Sequence, residues 1–136
     1  MQLSIVESDM PLVRIALPAG KPPAFRQNIS RGVHRALVET FGVPEDDLFQ
    51  IVTEHVVGEG LVRPSSYLGI EYTDDLVLIQ LTVSDTRSLE QKQRLFARIA
   101  SNLTESPGLR PQDVFINLVE VRKENWSFGN GVAQYA

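Results

Sequence analysis

The 136-residue sequence predicts an α+β domain of two fused β-α-β units, with a four-stranded sheet and both helices on one face. Strand-like and helix-like segments alternate in that order along the chain. The two halves also resemble each other. Asp47, Phe49 and Glu54 recur 66 positions later as Asp113, Phe115 and Glu120, while Leu12-Val13 precedes Leu76-Val77 by 64. A solenoid needs at least about three copies, so two copies are expected to close on each other.

The first half reads as strand, helix, strand. Residues 12–17 alternate apolar and other side chains, and the Pro- and Gly-containing stretch 18–23 predicts a turn. Residues 24–41 carry an apolar stripe at steps of three or four, which predicts a helix ended by Gly42 and Pro44. Residues 49–57 are rich in β-branched side chains and predict a strand, followed by an irregular connection over 58–66.

The second half repeats this order. Residues 76–83 form the most apolar run and predict a central strand covered on both faces. Ser88 with Gln91 forms a capping-box signature, and the helix it begins should run to about Glu105. Its apolar stripe comprises Leu89, Leu95, Phe96, Ile99, Ala100 and Leu103. Residues 114–121 predict the last strand, and the glycine-containing tail predicts a tight turn or short hairpin.

Right-handed crossovers would place both helices on the same face of the sheet. The opposite face would then stay uncovered and apolar, which predicts oligomerisation.

Composition excludes several classes of function. The net charge of -4 disfavours a nucleic-acid partner. Without cysteine and with only two histidines, His34 and His55, a metal site is not expected. The sequence contains neither a Gly-rich phosphate loop nor a cofactor fingerprint, so we expect no cofactor. It also lacks a signal peptide and a membrane-spanning stretch, so we expect a cytoplasmic protein without a membrane partner.

Several short motifs, in their order and spacing, resemble the tautomerase superfamily (the 4-oxalocrotonate tautomerase fold), specifically its malonate semialdehyde decarboxylase-like branch. They are Pro11-Leu12, Phe41-Gly42-Val43-Pro44 with Asp47, Glu90-Gln91-Lys92, Val119-Glu120, and Trp126-Ser127-Phe128-Gly129 with Gly131. The resemblance covers residues 11–135. It implies a homotrimer, with an active site near a subunit boundary and a small carboxylate-bearing substrate.

The resemblance makes Pro11 the central catalytic residue, through the secondary amine of an N-terminal proline. A proline inside a chain has an amide nitrogen without a proton or useful basicity. Initiation at Met10 with methionine removal would expose Pro11. We therefore expect residues 1–10 to be an extension from a misassigned start and residues 11–136 to be a single tautomerase-like domain. The alternative is that Pro11 merely begins a strand.

The resemblance also implies roles for five further residues. Asp47 would assist a water or the substrate, although a turn aspartate with a repeat counterpart, Asp113, has an equally good structural explanation. Arg87 would hold a substrate carboxylate as a bidentate pair. Asp85 stands where the family has the first of its two arginines, the second being Arg87, and this difference indicates a changed substrate. The last two, the aromatic residues of the tail motif, would be pocket walls or core packing: Trp126 and Phe128.

Two hypotheses of function follow. The first is a cofactor-independent tautomerase (isomerase), decarboxylase (lyase) or hydratase of a small oxo acid that uses Pro11, Asp47 and Arg87. The second is a noncatalytic trimeric binding scaffold in which residues 1–9 block the proline. An unrelated two-layer interaction domain is a third alternative.

Overall fold

The fold is taken from a computed structural model, and the residues that the structure describes are 10–136. Residues 1–9 of the predicted extension lie outside the described residues. Six strands and two α-helices follow in chain order: β1 Leu12–Pro18, α1 Pro23–Phe41, β2 Phe49–His55, β3 Ser66–Tyr67, β4 Ile70–Glu71, β5 Val77–Ser84, α2 Leu89–Glu105 and β6 Val114–Val121. Short 3-10 turns occur at Pro111–Asp113 and Lys123–Asn125.

The main sheet has the order β2-β1-β5-β6. Each β-α-β unit contributes one parallel pair, β1 with β2 and β5 with β6. The two units join through the antiparallel pair β1 and β5 at the centre. The predicted α+β class, four-stranded sheet and two helices are confirmed.

The end of α1 and the start of α2 lie where the sequence predicts them. Gly42 follows α1 with φ 69°, a left-handed conformation that glycine adopts without steric cost, and its N–H donates to Leu37 O. At the start of α2 the Ser88 hydroxyl accepts from the Gln91 N–H at 3.2 Å, and the Gln91 side chain accepts from the Ser88 N–H at 3.0 Å. The predicted stripe is wrong at Leu89, which is 69% exposed because the buried part of α2 begins only at Leu95.

The hydrophobic core lies between the two helices and one face of the sheet. Its members from the sheet include Val13, Ile15, Leu17, Ile79, Leu81 and Val83, and those from the helices include Ile29, Val33, Leu37, Leu95, Ile99 and Leu103. Gly32 lets the helices approach closely, since a Cβ at that position would lie 2.8 Å from Leu103 Cδ2. In the same place Asn102 Nδ2 donates to Gly32 O at 3.0 Å.

The strand register corrects one detail of the predicted repeat. Leu12 pairs with Phe49 in the first unit, and Leu78 pairs with Phe115 in the second, so both partners are shifted by 66 positions. The predicted offset of 64 for the first strands is therefore wrong, because it matched the letters Leu-Val and not the pairing. The counterpart of Leu12 is Leu78, and that of Pro11 is Val77.

The second face of the sheet stays open within the described chain. Exposed apolar side chains on it include Phe49, Ile51 and Phe115, at 50%, 38% and 46%. The predicted central position of β5 is confirmed, but the prediction that both its faces are covered is wrong within the described chain: Gln80 is exposed, while Val77, Ile79, Leu81 and Val83 are buried against the helices.

The loop regions differ most from prediction. The hairpin β3-β4 lies in a stretch for which no strands are predicted. The tail after β6 forms turns and contains no strand, so of the two predicted alternatives the tight turn is confirmed, with the Val132 N–H donating to Gly129 O at 3.4 Å, and the short hairpin is wrong. No helix within residues 10–136 is long and apolar enough to cross a membrane.

Candidate active site

Strand pairing carries the predicted site residues to one end of the sheet. Pro11 directly precedes Leu12, which pairs with the first residue of β2 and with Thr82 near the end of β5. Because β2 runs parallel to β1, Asp47, two residues before β2, lies at this end. Because β5 runs antiparallel to β1, the segment carrying Arg87 leaves the sheet at the same end, and β6 delivers the tail there as well.

A cavity of about 220 Å³ lies at this end. It is lined by Met10, Pro11, Leu12, Phe49, Trp126, Ser127 and Phe128. Three predicted site residues, Pro11, Trp126 and Phe128, therefore share one cavity. Phe49 was predicted only as a strand residue. Its place at the start of β2, on the uncovered face and beside the proline strand, is the signal that could have identified it as a wall.

The tail builds an aromatic wall that is attached to the sheet. The Trp126 and Phe128 rings are stacked, with centroids 5.4 Å apart and an interplanar angle of 17°. Tyr135 meets Phe128 edge-on at 4.9 Å. The indole Nε1–H of Trp126 donates to the Oγ of Ser84 at 3.1 Å, and Ser84 is fully buried at the end of β5. Sequence reasoning missed Ser84 and Tyr135, because neither lies in a pattern that distinguishes it from ordinary strand or tail residues.

Asp47 and its repeat counterpart Asp113 have opposite surroundings. Asp113 is 0% exposed and accepts from both the N–H (2.9 Å) and the hydroxyl of Thr73. Arg110 lies 3.7 Å from its carboxylate. Asp47 is only half-buried, yet its Oδ2 is buried and has no hydrogen-bond partner among residues 10–136. A buried carboxylate oxygen without a partner is costly to maintain, so the structural explanation that accounts for Asp113 does not account for Asp47.

Arg87 lies in the loop between β5 and α2, with its guanidinium carbon 4.7 Å from the centroid of the Phe41 ring. This cation–π contact places the side chain over Phe41, the last residue of α1. Asp85 is exposed, and its backbone N–H donates to Val121 O at 3.0 Å. Asp47, Asp85 and Arg87 thus share the end of the sheet with Pro11, but they do not line the 220 Å³ cavity.

The cavity itself supplies an apolar, aromatic surround for a small molecule. Such walls exclude water and strengthen electrostatic interactions inside the site.

In the 136-residue chain the Pro11 nitrogen is bonded to Met10 and is an amide. Within the described range 10–136, no group of three or more His, Cys, Asp or Glu side chains is arranged to hold a metal ion.

The same architecture occurs in known proteins. Two family profiles, both described as tautomerase enzyme, match residues 11–64 and 47–129. The probable tautomerase YusQ of Bacillus subtilis (strain 168) is 42% identical over 125 residues, which cover 92% of this chain and 98% of YusQ.

Several solved structures have the same fold as this chain. Malonate semialdehyde decarboxylase inhibited by 3-bromopropiolate is 37% identical, with a TM-score of 0.83 over 91% of this chain and 93% of that protein. A malonate semialdehyde decarboxylase, solved as wild type, as a variant with its first-position proline replaced by alanine, and in inactivated form, is 33% identical, with a TM-score of 0.81 over 91% and 95%. A fused 4-OT symmetric trimer shares the fold, with 21% identity and a TM-score of 0.75 over 91% and 97%.

These matches exclude the unrelated interaction domain and confirm the predicted resemblance. The chain belongs to the tautomerase family, and its fold closely matches that of malonate semialdehyde decarboxylase.

Proposed function

We propose that residues 11–136 form a cofactor-independent, homotrimeric enzyme that uses the free amine of Pro11 to tautomerise, decarboxylate or hydrate a small oxo acid. The observation that carries the proposal is the cavity shared by Pro11, Trp126 and Phe128. Pro11 is buried at its wall, so an amine at this position would meet a ligand in water-poor surroundings.

The proposal requires that the active protein begin at Pro11. Met10 precedes it, so initiation there followed by methionine removal would produce the amine. Two comparisons support this start. One family profile begins its match at residue 11, and the related decarboxylase was studied as a variant of its first-position proline.

Arg87 is proposed to bind the substrate carboxylate and Asp47 to assist the proton transfer. A guanidinium can form a paired hydrogen bond with a carboxylate, and the buried Asp47 Oδ2 is available to a water or a substrate hydroxyl. Asp85, exposed in the same loop, replaces a cation expected from the family resemblance. With one cation in place of two, the carboxylate would be held by Arg87 alone, so the substrate can differ from malonate semialdehyde, which is also a monocarboxylate.

The ionisation of Pro11 selects the reaction. A neutral amine removes a proton from the carbon beside the carbonyl and returns it elsewhere, which is tautomerisation. A cationic amine stabilises the negative charge that develops on the carbonyl oxygen when carbon dioxide leaves, or when water adds. The ordinary pKa of an α-amino group, about 8, makes both states accessible. The inhibited and hydratase-competent decarboxylases and the probable tautomerase support all three reactions.

The proposed trimer would assemble through the open face of the sheet. This face carries exposed apolar residues such as Ile51 and Val119, which a partner subunit would cover. The fused 4-OT trimer, built on the same fold, supports this assembly.

The test is to measure the intact mass of the protein from its native source and then to compare three proteins. They are the chain beginning at Pro11, the same chain with Pro11→Ala, and the chain beginning at Met1. Activity on enolised 2-oxo acids and on 3-oxo acids should appear only in the first. Equal activity of the chain beginning at Met1 would refute amine catalysis. A native chain that begins at Met1 and is inactive would support the binding scaffold.

A further inference from the structure

A second cavity, of about 460 Å³, lies at the opposite end of the sheet, beside the β3-β4 hairpin. It is lined by Val62, Arg63, Pro64, Tyr67, Tyr72, Leu76, Leu78 and Phe115. Leu78 and Phe115 are near the starts of β5 and β6, whereas the Pro11 cavity lies where β5 and β6 end.

The two cavities are related by the internal repeat. At the offset of 66, Leu76, Leu78 and Phe115 are the counterparts of Met10, Leu12 and Phe49, and Val62 is the counterpart of Phe128. The central strand pairing has the same symmetry, because Leu12 pairs with Thr82 while Leu78 pairs with Ala16. Four of the eight residues that line the second cavity therefore have their repeat counterparts in the lining of the first cavity.

The second cavity cannot perform proline chemistry. The counterpart of Pro11 is Val77, which lies inside the chain and is fully buried. The counterpart of Asp47 is Asp113, whose carboxylate is occupied by Thr73. The cavity is also larger, which fits the smaller counterparts of the aromatic wall: Gly60 stands for Trp126, and Val62 stands for Phe128.

Arg63 gives this cavity a polar group of its own. Its guanidinium donates from one terminal nitrogen to Asp74 Oδ1 at 2.8 Å and from the other to Pro64 O at 3.1 Å. Its Nε is buried and has no hydrogen-bond partner within the described chain. The Arg63 side chain is 20% exposed and that of Asp74 is 76% exposed, so water screens the Asp74 carboxylate and an incoming anion can compete with it for Arg63. Tyr67 and Tyr72 add flat, amphipathic rings beside the aliphatic floor.

We propose that this cavity is a second, noncatalytic binding site for a small monocarboxylate with a flat apolar body. Arg63 would hold the carboxylate, and the apolar body would lie against Leu76, Leu78 and Phe115. The site goes beyond the proposed enzyme function, because it needs neither a free Pro11 amine nor turnover.

The test is isothermal titration calorimetry of the full chain with 3-phenylpropionate, an unreactive carboxylate, combined with tryptophan fluorescence. Trp126 is the sole tryptophan of the sequence and lies in the first cavity, so it separates the two sites. We expect a binding event that leaves the fluorescence of Trp126 unchanged. Arg63→Gln should weaken it at least about tenfold, because a charge-assisted hydrogen bond is lost.

Asp74→Asn, at an exposed position, should change the affinity for the carboxylate in the opposite direction. It removes the competing carboxylate and should strengthen the fluorescence-silent event several-fold, so the test survives if Arg63→Gln fails to fold. Propionate, which lacks the flat body, should bind more weakly. Two results would overturn the second site. In one, all binding of 3-phenylpropionate changes the fluorescence of Trp126. In the other, neither variant alters the affinity of the binding event that leaves this fluorescence unchanged. Silent binding alone would support the second site and show that the first cavity of the chain beginning at Met1 does not bind 3-phenylpropionate, whereas the proposed enzyme function is tested separately on the chain beginning at Pro11.

Discussion

Replacing each of the two repeat-related aspartates by alanine should have opposite consequences for stability and activity. Asp113→Ala should strongly destabilise the fold, whereas Asp47→Ala should leave stability almost unchanged and abolish most activity of the chain beginning at Pro11. The positions are equivalent in the repeat, so the pair controls for the local chain path and for the chemistry of the substitution.

The expected changes in unfolding free energy follow from the hydrogen bonds that each aspartate makes. Asp113 is fully buried and accepts two hydrogen bonds from Thr73. Hydrogen bonds to a charged group contribute about 1.5–3 kcal/mol each, so the loss of two in Asp113→Ala should cost about 3–6 kcal/mol of unfolding free energy. Asp47 keeps a buried Oδ2 without a partner among the described residues, and its removal relieves a desolvation cost. The change at Asp47 should therefore stay within about 1 kcal/mol.

The assay is urea unfolding followed by circular dichroism, at one fixed protein concentration because assembly adds to apparent stability. Turnover of enolised 2-oxo acids is measured on the same samples. Equal destabilisation by the two variants would refute the distinction between a structural and a functional aspartate. Full activity of Asp47→Ala would refute the role proposed for that residue.

Three further predictions concern the site and the assembly. Arg87→Lys, which keeps the charge but loses the planar fork, should lower kcat/KM about tenfold, and Arg87→Gln about a hundredfold; equal kcat/KM in all three proteins would exclude carboxylate binding there. Ser84→Ala should make the fluorescence of Trp126 more accessible to acrylamide, because the indole N–H loses its acceptor, while Ser84→Thr should preserve the wild-type quenching. Ile51→Asp on the open face should lower the oligomer mass in light scattering, whereas Leu89→Asp, at an exposed helix position, should not; an unchanged mass in both would place the interface elsewhere.

The regular elements could be predicted because their signals are local. The Ser88–Gln91 capping box, the glycine after α1 and the β-branched run of β6 each depend on a few neighbouring residues. The exposure of Leu89 was missed because a helical stripe does not state where along its length the helix meets the sheet. The hairpin β3-β4 was missed because strands of two residues carry too short a pattern.

The site was predictable only where a motif marked it. Pro11, Trp126 and Phe128 came from the family resemblance, and the structure places them in one cavity. Ser84 depends on a contact across 42 positions of sequence, which no local pattern contains. The correct offset of the first strands likewise required the pairing register, because identical letters two residues away gave a false match.

The duplication explains why the two ends of one sheet can differ in use. Both units keep the helix-to-strand ion pair at the offset of 66, Arg26 with Glu54 at 3.0 Å and Lys92 with Glu120 at 2.8 Å, so the scaffold remains symmetric. The ends have diverged instead. In the second unit Thr73 engages the aspartate, which ties the β4-β5 connection to β6. In the first unit the Oδ2 of Asp47 is buried and unpartnered within the described chain, at the end of the sheet where Pro11 lies. Under the proposed start at Pro11, catalysis would be confined to one end of a symmetric scaffold, because only the first strand would then carry an N-terminal amine.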